Sequence, residues 1–204
     1  MICHLHLQPK LMKLYRILSI FLFILFALTT VSCKKKYTPK PKAYYRIDFP
    51  KKEYQNWNKD FPYSFDRLSI TKIEKDATKG AEKYWANIQY PEYRATIHLS
   101  YKTINNNLEE YLEDSRKMAY KHSIVADAIA EQIYINSEKK VYGMIYRIKG
   151  NAASSVQFVA TDSTKNFLRG ALYFREHPNQ DSLAPVIQFI DKDIVRLMES
   201  LKWK

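Results

Sequence analysis

From Arg94 to Tyr101 the chain reads RATIHLSY, with Ala95, Ile97, Leu99 and Tyr101 alternating with Thr96, His98 and Ser100. Successive side chains of a strand point to opposite sides, so this two-residue period predicts a strand with one buried and one more polar face. A few residues later the period changes. In NNNLEEYLEDSRKMAYKH, Leu108, Tyr111, Leu112, Ser115, Ala119 and His122 share a helical stripe, while Glu109, Glu110, Glu113 and Asp114 crowd the exposed first turns. A chain that passes from one period to the other within a single domain must bury a sheet face beneath a helix.

Other segments repeat these signals. YSFDRLSIT (Tyr63 to Thr71) and YWANIQY (Tyr84 to Tyr90) are rich in aromatic and β-branched residues. EQIYIN and KKVYGMIYRIKG predict a hairpin around Ser137-Glu138, and SSVQFVATDS with NFLRGALYFRE a second around Asp162 to Lys165. A closing helix carries Ile187, Ile190, Ile194, Leu197, Met198 and Leu201 on one face, with Asp181 or Ser182 as its cap and Pro185 in its first turn. Asn106 or Asn107 is the expected cap of the earlier helix. YYRIDF (Tyr44 to Phe49) reads as an opening strand that Pro50 ends, followed by a loop whose Tyr54 and Trp57 either pack over the sheet edge or form a patch for a partner, packing being favoured. The expected fold class is α+β, a mostly antiparallel β-sheet packed with two long amphipathic helices within residues 44–204. Its element order is similar to the PsbP/Mog1-like sandwich, an analogy of order alone.

The N-terminal part obeys a different grammar. Lys10, Lys13 and Arg16 precede an apolar run, Ile17 to Leu28, which is followed by Thr29, Thr30 and Ser32. Basic, apolar, then small is the order of a secretory signal, here assigned to residues 1–32, with Met12 as an alternative start. The run falls short of the ~20 residues a spanning helix needs, which makes a membrane-spanning anchor the weaker reading. Thr30-Val31-Ser32-Cys33 resembles the lipobox of bacterial lipoproteins, with Thr30 where a large aliphatic residue is usual. Cys33 is therefore the expected lipid attachment site. Cys3 would leave with the signal, so Cys33 would have no disulfide partner. Residues 33–43 form the lipidated cysteine and a tether. KKKYTPKPK, with five lysines and two prolines, would span ~30 Å in an extended form, its lysines either attracting anionic headgroups or simply solvated.

Charge narrows the partners. The formal net charge is +12, and removing residues 1–32 leaves 30 basic against 21 acidic side chains, or +9. The lysines are dispersed and the secretory signal leads away from nucleic acid, so a solvated surface is expected and nucleic acid is not a predicted partner. No catalytic, cofactor-binding or metal-binding residues are assigned. His98, His122 and His177 have no second histidine at helical spacing, and no H-E-x-x-H, P-loop, G-x-S-x-G or dinucleotide fingerprint occurs. His98 and Ser100 are the best catalytic pair, but two positions along a strand separate them by ~7 Å. The expectation is a protein that is not an enzyme.

The signal, the segment TPKPKAYYRIDFP (Thr38 to Pro50) and the later VYGMIYRIKG together resemble the GldD gliding motility lipoproteins of Bacteroidetes, over essentially the whole mature chain. The resemblance implies a lipid-anchored, palmitate-type lipoprotein of the cell envelope serving gliding motility and the linked type IX secretion system, with other gliding and secretion envelope proteins as partners. It implies no enzymatic activity and no cofactor. The outer membrane is the expected location rather than the inner. Lipoproteins flipped to the surface in this phylum resemble one another in an acidic cluster after the cysteine, and Lys34 to Lys36 point instead to the periplasmic side. The alternative is a ligand-binding envelope lipoprotein with a cleft between sheet and helix.

Overall fold

A computed structural model describes residues 9–29, 46–176 and 179–204. The chain divides into two units between Ala43 and Tyr44. The described part of the first is a helix, α1 (Pro9–Thr29), which contains the apolar run and all three basic residues preceding it. No helix among the described residues is long and apolar enough to cross a membrane.

The second unit is built on β1 (Tyr54–Trp57), β2 (Tyr63–Leu68), β3 (Lys72–Lys75), β4 (Ala86–Tyr90), β5 (Ala95–Thr103), α2 (Leu108–Tyr120), β6 (Ala126–Asn136), β7 (Val141–Gly150), β8 (Ser154–Thr161), β9 (Asn166–Phe174), α3 (Gln180–Ser200) and β10 (Lys202–Trp203). Seven strands form one antiparallel sheet in the order β3-β4-β5-β9-β8-β7-β6, and β1-β2-β10 form a smaller one. The class is α+β, as the periodicities predict.

One face of the large sheet carries the main core. Ala95, Ile97, Leu99 and Tyr101 of β5 join Val156, Phe158 and Ala160 of β8, Leu168 and Leu172 of β9, and Ile190, Ile194, Leu197 and Met198 of α3. The β2 residues Tyr63, Phe65 and Leu68 close it from the side. Gly170 pairs with Phe158 across the ladder, and a Cβ at that position would run into the ring. The opposite face is covered by α2, which packs Leu108 and Tyr111 near Val159 and Phe167, and Ala119 with Tyr146 and Ile148.

Several local expectations change. Residues 46–50 join no ladder; Ile47 is exposed, and Phe49 instead stacks on Phe189 of α3, centroids 4.5 Å apart. The aromatic loop is a strand, because Tyr54 to Trp57 find β2 as a partner, and Trp57 is buried, as the packing reading holds. Asn179 rather than Asp181 or Ser182 caps α3, its Oδ1 accepting from the Ser182 N–H at 3.3 Å. Starting at Gln180 puts Pro185 past the first turn. Asn107 occupies the cap of α2, but its side chain accepts from the Asn105 N–H at 2.8 Å rather than from the helix. The β8–β9 turn is as expected. There burial pushes the Asp162 carboxyl up, while the N–H groups of Asn166, Lys165 and Thr164 overcome it and hold the pKa at about 2.

Candidate functional site

Three places in the second unit concentrate polar chemistry or unpacked apolar surface. The first lies within the main core. Asp193, on the buried stripe of α3, is 4 % exposed. Its Oδ1 accepts from Tyr54 at 2.7 Å and pairs with Lys52, its Oδ2 accepts from Tyr90 at 3.2 Å, and the Lys52 Nζ also reaches the Phe189 carbonyl at 2.7 Å. Burial and then the Asp193 carboxylate push the Tyr54 hydroxyl far up, and the same influences raise Tyr90. Both phenols stay neutral donors. The arrangement satisfies the carboxylate from three sides and ties the start of the domain to α3. No nucleophile is activated there.

The second place is the polar half of the α2 face, where register carries a row of side chains across three strands: Asn87 opposite His98, Ser100 opposite Arg169, and Thr96 opposite Tyr173. His98 Nδ1 lies 2.7 Å from Asn87 Oδ1, and its ring meets Tyr173 edge-on at 5.6 Å. Burial pushes the His98 pKa down, partly offset by Asp76. Burial and the charge of Arg169 push His122 down as well. Arg169 donates to Gln157 Oε1 at 2.5 Å, yet its Nε and the Nε2 of Gln157, a residue only 2 % exposed, find no acceptor among the described residues. His98 and Ser100 do share this face, but His98 is engaged with Asn87.

The third place is an apolar groove of about 680 Å³ between α2 and the outer strands, open to solvent and floored by Tyr142, Met144, Tyr146 and Val159. Leu108 and Leu112 form its helical wall, and Glu109, Glu110, Glu113 and Arg116 its rim. The same sheet face continues onto β6, where Ile133 and Ile135 pair in register with Met144 and Tyr142 and are 68 % and 67 % exposed. Strand periodicity marks β6 in the sequence, but its position at the sheet edge is not local information. Asp193 left a fainter signal: a carboxylate inside the apolar stripe of a helix.

Cys33 and His177 lie outside the described residues. Among those described, no group of three or more His, Cys, Asp or Glu could hold a metal ion.

The geometry defines an α+β domain with a clamped core and an incompletely covered outer face. The chain belongs to the gliding motility lipoprotein GldD family, whose sequence profile matches residues 34–203. It is thus a gliding motility lipoprotein, of a kind held by lipid at a membrane of the cell envelope. The family is one of motility components and is not a known enzyme family. A search of curated proteins found no significant match. Among solved structures, the chain is similar to the solution structure of cyanobacterial PsbP from Synechocystis sp. PCC 6803, with a TM-score of 0.47 and 10 % identity over 80 % of this chain and 99 % of that one. That likeness is one of chain course and says nothing of what either protein does.

Proposed function

We propose that the protein is a periplasm-facing lipoprotein, anchored through a lipid on Cys33 and held in the outer membrane, that serves gliding and the linked type IX secretion system as a non-enzymatic component by binding other envelope proteins. One observation carries the reading: the family match begins at Lys34, immediately after Cys33, and runs to Trp203. The residues before it read as a signal, and those after it as the working part. Anchoring confines the domain to a surface, where weak contacts act at raised local concentration. Replacing Cys33 by Ala should release the protein from membranes and reduce gliding. Full motility from the released form would defeat membrane confinement.

A second reading follows from the groove beneath α2, which offers aromatic and aliphatic walls to a small or lipidic molecule. Native mass spectrometry of the purified protein tests it. A retained ligand displaced by substituting Tyr142 and Met144 supports this reading, and a ligand-free protein counts against it.

A further inference from the structure

The two edges of the large sheet are built in opposite ways. β3 is four residues long, KIEK, and carries two lysines. Short length and charge are how soluble proteins keep an edge from pairing with another chain. At the other edge, β6 runs eleven residues, ADAIAEQIYIN, without a lysine, an arginine or a proline. Its single irregularity lies at the far end, between Ala126 and Ala128. From Ile129 to Asn136 it is a regular strand, paired on one side with β7 and, among the described residues, unpaired on the other. Half of its backbone hydrogen-bonding groups face outward.

From this edge we infer that β6 receives an extended segment of another envelope protein, which adds to the sheet as an eighth strand and carries apolar side chains opposite Ile133 and Ile135 and a basic one opposite Glu131. The inference rests on the interaction reading above and names how that interaction is made. Strand addition draws affinity from main-chain bonds and specificity from alternate side-chain positions. The alternate positions here are explicit. Glu131, Ile133 and Ile135 lie on the groove side, in register with Tyr146, Met144 and Tyr142, while Gln132, Tyr134 and Asn136 lie on the other. Alternate side chains of an incoming strand would cover the two isoleucines and extend the apolar floor of the groove.

Charge chooses the partner. On a chain of net +12, this corner holds more carboxylates than bases: Glu109, Glu110 and Glu113 rim the groove beside Arg116, Lys117 pairs with Glu113, and Asp127 and Glu131 lie on the strand. Glu131 is fixed at the edge by the Tyr120 hydroxyl, which donates to it at 2.9 Å. A second copy of β6 pairing antiparallel sets Glu131 against a carboxylate in the register centred on it and offers it no basic side chain in any register, because the strand holds none. A basic, alternately apolar segment of a different protein satisfies both the charge and the pattern.

The test uses the full lipidated chain in cells. A photo-crosslinking amino acid is placed in turn at Ile133, at Ile135 and, as a control, at Lys192 on exposed α3 surface, and the linked peptides are identified by mass spectrometry. The expected result is that both edge positions join one protein through a single extended segment bearing lysine or arginine and alternating apolar residues, with the two link sites spaced as in a strand, while Lys192 does not. Ile133→Lys with Ile135→Lys should lower the yield at a neighbouring edge position about tenfold or more, since a charge on the pairing face blocks addition, and should impair gliding. The pair Ile133→Thr and Ile135→Thr retains strand propensity and should weaken the link less; equal melting temperatures in all three proteins establish that the domain is folded. Links to a second copy, to lipid, to a non-extended or acidic region, or to nothing would overturn the inference. Normal gliding in the Lys variant with loss of gliding in Cys33→Ala would overturn strand addition and leave the anchored reading standing; normal gliding in both would remove both.

Discussion

The two faces of the seven-stranded sheet contrast sharply in how they are finished. The α3 face is closed: Phe158, Leu168, Leu172, Ile190, Ile194 and Leu197 are all almost fully buried, and the one carboxylate among them, Asp193, has all its partners. On the α2 face, a shorter helix leaves Leu112, Met118 and Tyr120 exposed, two isoleucines of β6 in solvent, and the buried Nε of a half-buried Arg169 without an acceptor among the described residues. A packed face maximises stability, whereas a partly covered one keeps surface available for contact. The contrast teaches that close packing and exposed apolar surface lie on opposite sides of one sheet, so each can be perturbed separately.

The sharpest way to break the contrast is to cut matching holes in both faces. Phe158→Ala should cost about 4 kcal/mol, since the ring fills the space left by Gly170 and deletion opens a cavity. Leu112→Ala, on the exposed wall of α2, should cost less than about 0.5 kcal/mol. Urea denaturation of the two proteins measures both, and equal losses would erase the distinction.

Next in size is the clamp. Asp193→Ala should destabilise by about 3 kcal/mol, because it leaves the Lys52 ammonium partly buried and unpaired and takes the acceptor from two phenols. Hydrogen exchange should report loosening of the β1–β2 hairpin before the rest of the sheet opens.

Arg169 sits closer to balance. Arg169→Met relieves a desolvated guanidinium but takes the donor from the buried Gln157 Oε1, so it should cost no more than about 1 kcal/mol and lower the melting temperature only slightly. A strong loss would show that the guanidinium contributes net binding energy on the α2 face.

The smallest effect is one of pH. The His98 and His122 pKa values lie below the unfolded value of about 6.5. Below that value the unfolded chain takes up protons that the folded chain resists. Stability is therefore undiminished above about pH 6.5, falls as the pH drops through it, and levels off beneath the folded pKa values. Replacing both histidines by Gln should flatten that limb of a stability profile measured by thermal melts, leaving the contribution of Asp162 at much lower pH.

Much of this was legible from residue order because it depends on local spacing. The alternation of Ala95 to Tyr101, the stripe from Ile190 to Leu201 and the two hairpins each have their cause within a few residues. β1, β3 and β10 were not legible as strands, since two to four residues acquire strand geometry only when a neighbour supplies hydrogen bonds, and Tyr54, Lys72 and Lys202 find theirs in β2, β4 and β2. The Asp193 clamp joins Lys52, Tyr54 and Tyr90 to a helix more than a hundred residues away in sequence, and local periodicity is blind to such pairs.

Residue order alone therefore specifies an α+β domain with one apolar face per strand and a long amphipathic closing helix, preceded by a segment with the grammar of a lipoprotein signal. Those properties follow from side-chain period and composition, which every short window carries. Only the tertiary structure places β9 between β5 and β8, and that insertion sends β6 to the edge, brings Arg169 opposite Ser100, and joins the exposed isoleucines to the groove beneath α2. Strand order is set by long-range packing of whole faces against one another, and no local window contains it.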